Sequence, residues 1–238
     1  MSVMPKPRQP RLSPLTVVRI ARAAARLIRD PNRLDEVIAM ADELGDSPAF
    51  TAIVRHVEAL PGGAQAMAER PRVDLDLPRL RAMPDGSFGR ETARFLDARG
   101  LDPADLPRRP ADDGTAWVRA HLYETHDLWH VVTGFDTDVA GELGLQAFYL
   151  AQFPARLAAA ILAIAFTNTF LWGWDDRDRR MDAIALGWQL GKTARPFLAV
   201  RWAELWSLPL AEVRARLGVT APMASSSAAP VAAARAAA

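Results

Sequence analysis

Two histidines stand four residues apart in Glu124-Thr125-His126-Asp127-Leu128-Trp129-His130. On a helix, positions i and i+4 share a face and lie about 6 Å apart along the axis. Both imidazoles can then reach one metal ion. Asp127 follows His126, about 100° round the helix. Three roles are open to it: a ligand from the side, a group that orients a ligand, or a base. A third ligand has to come from elsewhere. Glu142 opens the next helical stretch, after the turn Gly134-Phe135-Asp136-Thr137-Asp138, and an antiparallel return brings it back toward the histidines. Asp136 and Asp138 are rivals, but they fit a turn and a helix N-cap better. Two nitrogen donors with one or two oxygens suit zinc, and also ferrous iron, so spacing alone does not choose the metal. The alternative is a pair of helix-face histidines salt-bridged to acids with no ion between them. In the His-Glu-x-x-His peptidases the residue after the first histidine is the longer Glu, suited to activating water. Here it is Asp127, which disfavours a hydrolase.

Helices have to position these residues, because strand signals are nearly absent and helical periodicity recurs throughout. The spacing predicts helices over 15–29, 33–44, 47–59, 88–99, 115–133, 139–152, 155–171, 178–206 and 209–217, with Pro196 kinking the long one. Proline-rich loops are expected over 69–87 and 101–114, and Pro61-Gly62-Gly63 closes the third helix. Arg19, Arg22, Arg26 and Arg29 fall on one face of the first helix, either a solvated face or one that touches anionic lipid. Gly187 and Gly191 mark a close helix contact. Gly191-Lys192-Thr193 lacks the upstream glycine of a P-loop, since Leu186 stands there, so nucleotide binding is rejected. The fold class is all-α. One helical domain spans 15–219, between a basic, Pro-rich arm (1–14) and an Ala/Ser/Pro tail (220–238), both expected to be disordered.

The chain has 238 residues, 29 basic against 28 acidic, and no cysteine. The charge balance argues against a nucleic-acid partner. The lack of cysteine excludes disulfides, thiolate metal sites and a thiol nucleophile. No apolar run near the start resembles a secretory signal, which points to an intracellular protein. Leu157 to Trp174 holds 18 residues without a charge, the length of a short membrane span. Thr167, Asn168 and Thr169 interrupt it, and Arg156 and Asp175 bound it, so a buried core helix is the preferred reading. Phe148, Tyr149, Phe153, Phe166, Phe170 and Trp172 would serve an apolar channel, although aromatics on helix faces more often belong to a core.

His126-Asp127-Leu128-Trp129-His130, followed after eleven residues by Glu142, resembles the metal-binding signature of the coenzyme Q biosynthesis protein 4 family. Met83-Pro84-Asp85-Gly86-Ser87-Phe88-Gly89-Arg90, the run Thr125 to Phe135, Gly187 to Gly191 and Pro209 to Gly218 are similar to other segments of that family. The resemblance covers roughly residues 80–219. It implies an all-helical protein of ubiquinone biosynthesis whose metal ligands are His126, Asp127, His130 and Glu142, with zinc favoured and iron as the alternative. It implies metal-dependent C1 decarboxylation of a polyprenylated 4-hydroxybenzoate, alone or coupled to hydroxylation. The partners it implies are a polyprenyl lipid substrate, other enzymes of the pathway and the cytoplasmic face of a membrane, where the protein would sit peripherally. A homodimer is a further expectation. The rival reading is a non-catalytic prenyl-lipid-binding scaffold that organises those enzymes. Family members often carry arginine just before the acid corresponding to Glu124; Tyr123 stands here, and Arg119 one turn earlier is a substitute.

Overall fold

Capping chemistry sets most of the helix starts. The computed structural model describes residues 13–45, 48–105 and 108–219, so the expected arm and tail lie outside the described residues except for Ser13 and Pro14. The Ser13 hydroxyl accepts from the Thr16 N–H and Pro14 takes the first position of α1 (Pro14–Arg29), where a missing N–H costs nothing. Then come α2 (Leu34–Gly45), α3 (Pro48–Ala59), α4 (Gly63–Glu69) and α5 (Leu77–Arg81). Ser87 and Asp113 cap α6 (Phe88–Arg99) and α7 (Gly114–Thr133) in the same way. The remaining helices are α8 (Val139–Gln152), α9 (Arg156–Leu171), α10 (Arg177–Thr193) and α11 (Leu210–Leu217). No strand occurs among the described residues, only an isolated bridge between Ser87 and Pro209. The all-α reading therefore holds.

The helix expected over 178–206 is corrected. It ends at Thr193, and two single 3-10 turns, Phe197–Ala199 and Trp202–Glu204, follow. A proline at 196 has no N–H to give and forces the residue before it toward extended backbone, so the helix stops instead of bending. Gln152 on α8 seals the end: its Nε2 donates to the Gly191 and Ala194 carbonyls, and its Oε1 accepts from the Phe197 N–H. The loop expected over 69–87 also contains α5. Its Pro78 lies in the first turn, a position a helix accepts, and Asp76 caps it by accepting from Arg79 N–H. The helix α4 follows Gly62, whose φ of +75° turns the chain at the point where Pro61-Gly62-Gly63 was expected only to end α3.

Helices α8 and α10 pack against each other along most of their length. Glycines let them approach: a Cβ at Gly187 would lie 1.9 Å from the Gly144 carbonyl oxygen, and one at Gly191 2.7 Å from that of Phe148. The close contact expected of Gly187 and Gly191 is thus met across α8. Behind it sits an aromatic core, with Trp129 of α7 and Phe148 of α8 both edge-on or tilted against Phe197, which in turn meets Trp202. The segment after α10 is irregular yet well packed, because it delivers Phe197, Leu198, Trp202 and Trp206 to the core.

No single helix among the described residues is long and apolar enough to cross a membrane. Helix α9 packs against α8 and α1, burying Ala158, Leu162 and Ala165. The polar residues in its middle have partners: Arg180 donates through Nη1 to Asn168 Oδ1 and Thr169 Oγ1, and Asn168 Nδ2 donates to the Ile28 carbonyl at the end of α1. One side of its C-terminal half and the residue after it differ from the expected buried helix, because Phe166, Phe170, Leu171 and Trp172 remain exposed.

Candidate metal centre

Helix α7 supplies His126 and His130 from one face and ends at Gly134, whose φ of +82° starts the return. Asp136 fills its expected turn role, accepting from the Thr137 N–H and from Arg99. Asp138 fills its expected cap role, accepting from the Gly141 N–H at 2.8 Å. The turn is pressed onto α8: a Cβ at Gly141 would lie 2.0 Å from the Asp136 carbonyl oxygen, and one at Gly144 2.5 Å from the Phe135 ring. Glu142, in the first turn of α8, is thereby carried back over the histidines.

The three side chains converge. His126 Nε2 and His130 Nε2 are 3.2 Å apart, His130 Nε2 is 3.2 Å from Glu142 Oε1, and His126 Nε2 is 3.8 Å from Glu142 Oε2. One donor atom from each of the three lies within 4.8 Å of the others. A tetrahedral ion with bonds of about 2.1 Å spaces its ligands by roughly 3.4 Å, so this donor set fits a divalent cation. The ring behind each donor is oriented too. His130 Nδ1 donates to the Phe135 carbonyl at 3.1 Å, since a carbonyl only accepts, and this leaves the Nε2 lone pair facing the site. His126 Nδ1 meets the Tyr149 hydroxyl at 2.8 Å. His130 is fully buried and lies against the Phe95 ring, whereas His126 and Glu142 are 33 % and 37 % exposed, so the site opens on one side. A closed structural site would have no such opening.

Electrostatics favour a negative Glu142. Burial by itself would raise its pKa, but the charge and hydrogen bonds of His130 and His126 hold it far below the usual carboxylate range. Burial pulls the other way on His126, and Glu142 and Asp127 together overcome it and raise its pKa. Burial, then the charges of Glu142 and Asp127, push the Tyr149 phenol well above its ordinary value.

The structure brings together His126, His130 and Glu142 of the expected ligands. Asp127 is half-buried and outside this set of three, and it bears on the site through its charge. Tyr149 and the Phe135 carbonyl are contributors that spacing alone did not single out for these roles. Tyr149 lies seven residues after Glu142, two turns along the same face of α8, and a phenol at that spacing was the available signal. The aromatics do not gather into one channel. Phe148 and Phe153 are buried around Trp129, Tyr149 faces His126, and Phe166, Phe170 and Trp172 are exposed on α9. A cleft of about 690 Å³ lies between α1 and α2, and a cavity of about 50 Å³ lies beside His121; the donors line neither. Arg119 extends over the Phe50 ring, 5.2 Å from its centre, and Tyr123 lies beneath Arg109.

Known proteins are similar to this chain in sequence and in fold. A Xenopus tropicalis protein named as a mitochondrial ubiquinone biosynthesis protein COQ4 homologue is 32 % identical over 209 residues, covering 85 % of this chain and 72 % of its own. The human homologue of the same name is 31 % identical, covering 85 % and 77 %. A crystal structure of a Nostoc punctiforme protein assigned to ubiquinone biosynthesis superposes with a TM-score of 0.76 at 28 % identity, covering 87 % of this chain and 97 % of that one. The family model for coenzyme Q (ubiquinone) biosynthesis protein Coq4 matches residues 12–223, and with every described residue inside that match, the protein belongs to the Coq4 family.

Proposed function

We propose that this chain acts in ubiquinone biosynthesis as a metal-dependent decarboxylase, removing the C1 carboxyl of a polyprenylated 4-hydroxybenzoate. The observation that carries the reading is the convergence of His126, His130 and Glu142 on one point that stays open on one side. Zinc suits two imidazoles and a carboxylate, and iron is the alternative. When bound, the ion supplies a Lewis acid for the substrate's carboxylate or phenolate oxygen and so stabilises charge as it builds on the ring. The bond from C1 to the carboxyl carbon breaks, carbon dioxide leaves, the electron pair stays on C1 and a proton takes its place. A form coupled to hydroxylation needs dioxygen as oxidant and two further electrons from a redox-active metal such as iron or from a partner, because zinc supplies none.

His130, buried and fixed by the Phe135 carbonyl, is the rigid ligand; His126 and Glu142 form the open edge where substrate enters. Asp127 adds negative charge behind His126. The exposed Phe170, Leu171, Trp172 and Trp174 support contact with a membrane surface, where such side chains bury readily, and with a polyprenyl tail held there. On this reading the protein works inside the cell, peripherally on a membrane's cytoplasmic face, beside the other enzymes of the pathway. The same exposed end favours a second reading, a lipid-binding scaffold without chemistry of its own, because it offers an apolar docking surface.

One assay tests both. Metal content and release of carboxyl-labelled carbon dioxide are measured for wild type, His126→Ala and Glu142→Ala. Turnover that disappears with the metal supports the decarboxylase. Turnover that survives complete metal loss overturns it, and metal-replete protein that holds lipid without turnover favours the scaffold.

A further inference from the structure

Away from the metal centre, two buried rings around one small cavity carry nitrogen atoms that no protein group pairs. His121 on α7 is 2 % exposed and both of its ring nitrogens are unpaired; Trp202, in the second 3-10 turn after α10, is 1 % exposed and its indole N–H is unpaired. Both rings line the cavity of about 50 Å³, whose wall also includes Arg72, Arg201 and Glu204. Trp117 gives the contrast: its ring lies on His121 at 4.8 Å, and its Nε1 donates to the Pro71 carbonyl at 2.8 Å. Donors and acceptors decide what fits. An indole N–H only donates, and a neutral imidazole has one nitrogen that donates and one that accepts. Burial keeps His121 neutral near pH 7, with its pKa pushed down to about 4. The charged groups of the wall are already paired, Arg72 with Glu124, and Arg201 with Glu69 and Glu204. Two guanidiniums against three carboxylates give an anion no net attraction, and the positive end of the indole N–H disfavours a cation. The molecule that suits the site is neutral, accepts from Trp202 and donates to His121.

We propose that this cavity is a built hydration site, in which water bridges the Trp202 indole N–H to the ring of His121. A water takes about 30 Å³ in the liquid, so the cavity suits one or two molecules. The bridge ties α7, the helix that carries His126 and His130, to the irregular chain after α10, and it does so at the one place where both present buried, unpaired nitrogens to a shared space. Trp129 supplies an internal control. Its indole N–H is buried and unpaired as well, but the ring sits among Phe148, Tyr149, Phe153 and Phe197 and does not line this cavity. Rings packed that closely leave a water no space.

The test is NMR on the full chain, labelled with 15N at tryptophan and histidine, near neutral pH. Indole signals are assigned by the peak that disappears in Trp202→Phe and in Trp129→Phe. The wild-type Trp202 indole proton is expected to show a cross-relaxation peak to water with the sign of a long-lived bound molecule, and Trp129 to show none. His121→Phe keeps an aromatic ring and removes the acceptor, so the Trp202 peak to water should be lost. The His121 ring should carry one protonated and one bare nitrogen. A wild-type Trp202 without the peak overturns the proposal, as does a peak of equal strength at Trp129, a peak that keeps its full strength in His121→Phe, or a His121 ring protonated on both nitrogens. The wild-type spectra decide the matter even where His121→Phe fails to fold.

Discussion

Replacing His121 by Phe should change how the protein tolerates acid. The His121 ring is only 2 % exposed, stacks on Trp117 at 4.8 Å, and neither of its nitrogens meets a protein hydrogen-bond partner. Burial pushes its pKa down to about 4 from 6.5. The charged groups lining the adjacent cavity, Arg72, Arg201 and Glu204, are engaged in ion pairs with one another or with Glu124 and Glu69. Between those two pKa values the unfolded chain takes up a proton that the folded chain refuses. The stability this group preserves is therefore complete above about pH 6.5 and falls as the pH drops toward 4. Every tenfold loss of proton affinity corresponds to about 1.4 kcal/mol, so the loss of stability reaches roughly 3 kcal/mol at the acid end and about 2 kcal/mol near pH 5. His126 has the opposite sign: its raised pKa adds stability at low pH that is lost as pH rises through the folded value. The wild-type curve mixes the two, and the difference between wild type and His121→Phe isolates one. Urea melts at about pH 7.5 and about pH 5 should show the variant gaining roughly 2 kcal/mol on wild type at the lower pH. A difference between the two proteins that does not vary with pH would refute the argument that His121 is buried neutral.

Glu142→Ala should weaken binding of a divalent cation by more than about 100-fold, since even partners behind a ligand cost about 10–100-fold, with little change in the melt taken in chelator. Isothermal titration checks this, and unchanged affinity would remove Glu142 from the ligand set. Gly187→Ala places a Cβ 1.9 Å from the Gly144 carbonyl oxygen, where ordinary contact begins at 3.4 Å. Forcing α8 and α10 apart should cost about 3 kcal/mol in a denaturant melt, and should loosen metal binding as well because Glu142 rides on α8. Arg180→Met removes the donor shared by Asn168 Oδ1, Thr169 Oγ1 and Asp176. Stranding those acceptors should cost about 2 kcal/mol, read as a lowered melting midpoint.

The legible parts of this protein are those whose causes are local in the chain. The i, i+4 histidines, the turn with its Asp138 cap and the return to Glu142 form one hairpin of helices. Periodicity and capping residues therefore place the ligands without reference to any tertiary contact. Asp76-Leu77-Pro78 is equally local, but counting prolines as breakers hides α5; a proline in the first turn starts a helix as readily as one elsewhere ends it. What could not be read depends on distant partners. The end of α10 at Thr193 is set by Pro196 together with Gln152, about forty residues earlier. The middle of α9 is explained only by Arg180 reaching back to Asn168. Its exposed aromatic end breaks the rule that an uncharged run seeks the interior, because no other part of the described chain covers it.

The same distinction separates the two sides of the centre. His130 is fixed by the hairpin's own backbone through Phe135, and by Phe95 on α6, so its geometry follows from the fold of a short segment. Glu142 stands just ahead of the point where α8 meets α10: Gly144 takes the Phe135 ring on one hand and Gly187 on the other, and any side chain at either glycine would shift the first turn of α8. The local hairpin brings Glu142 back to the histidines, and its final position depends also on how closely the two backbones approach and on the carboxylate's own contacts with His130 and His126. Binding energy from a cation would act back along that path, tightening the contact between α8 and α10. A chelator should accordingly lower the protection of α10 amides near Gly187 against hydrogen exchange, while leaving those of α3 unchanged. Uniform exchange across both helices would mean that the centre is built on a scaffold indifferent to its occupant.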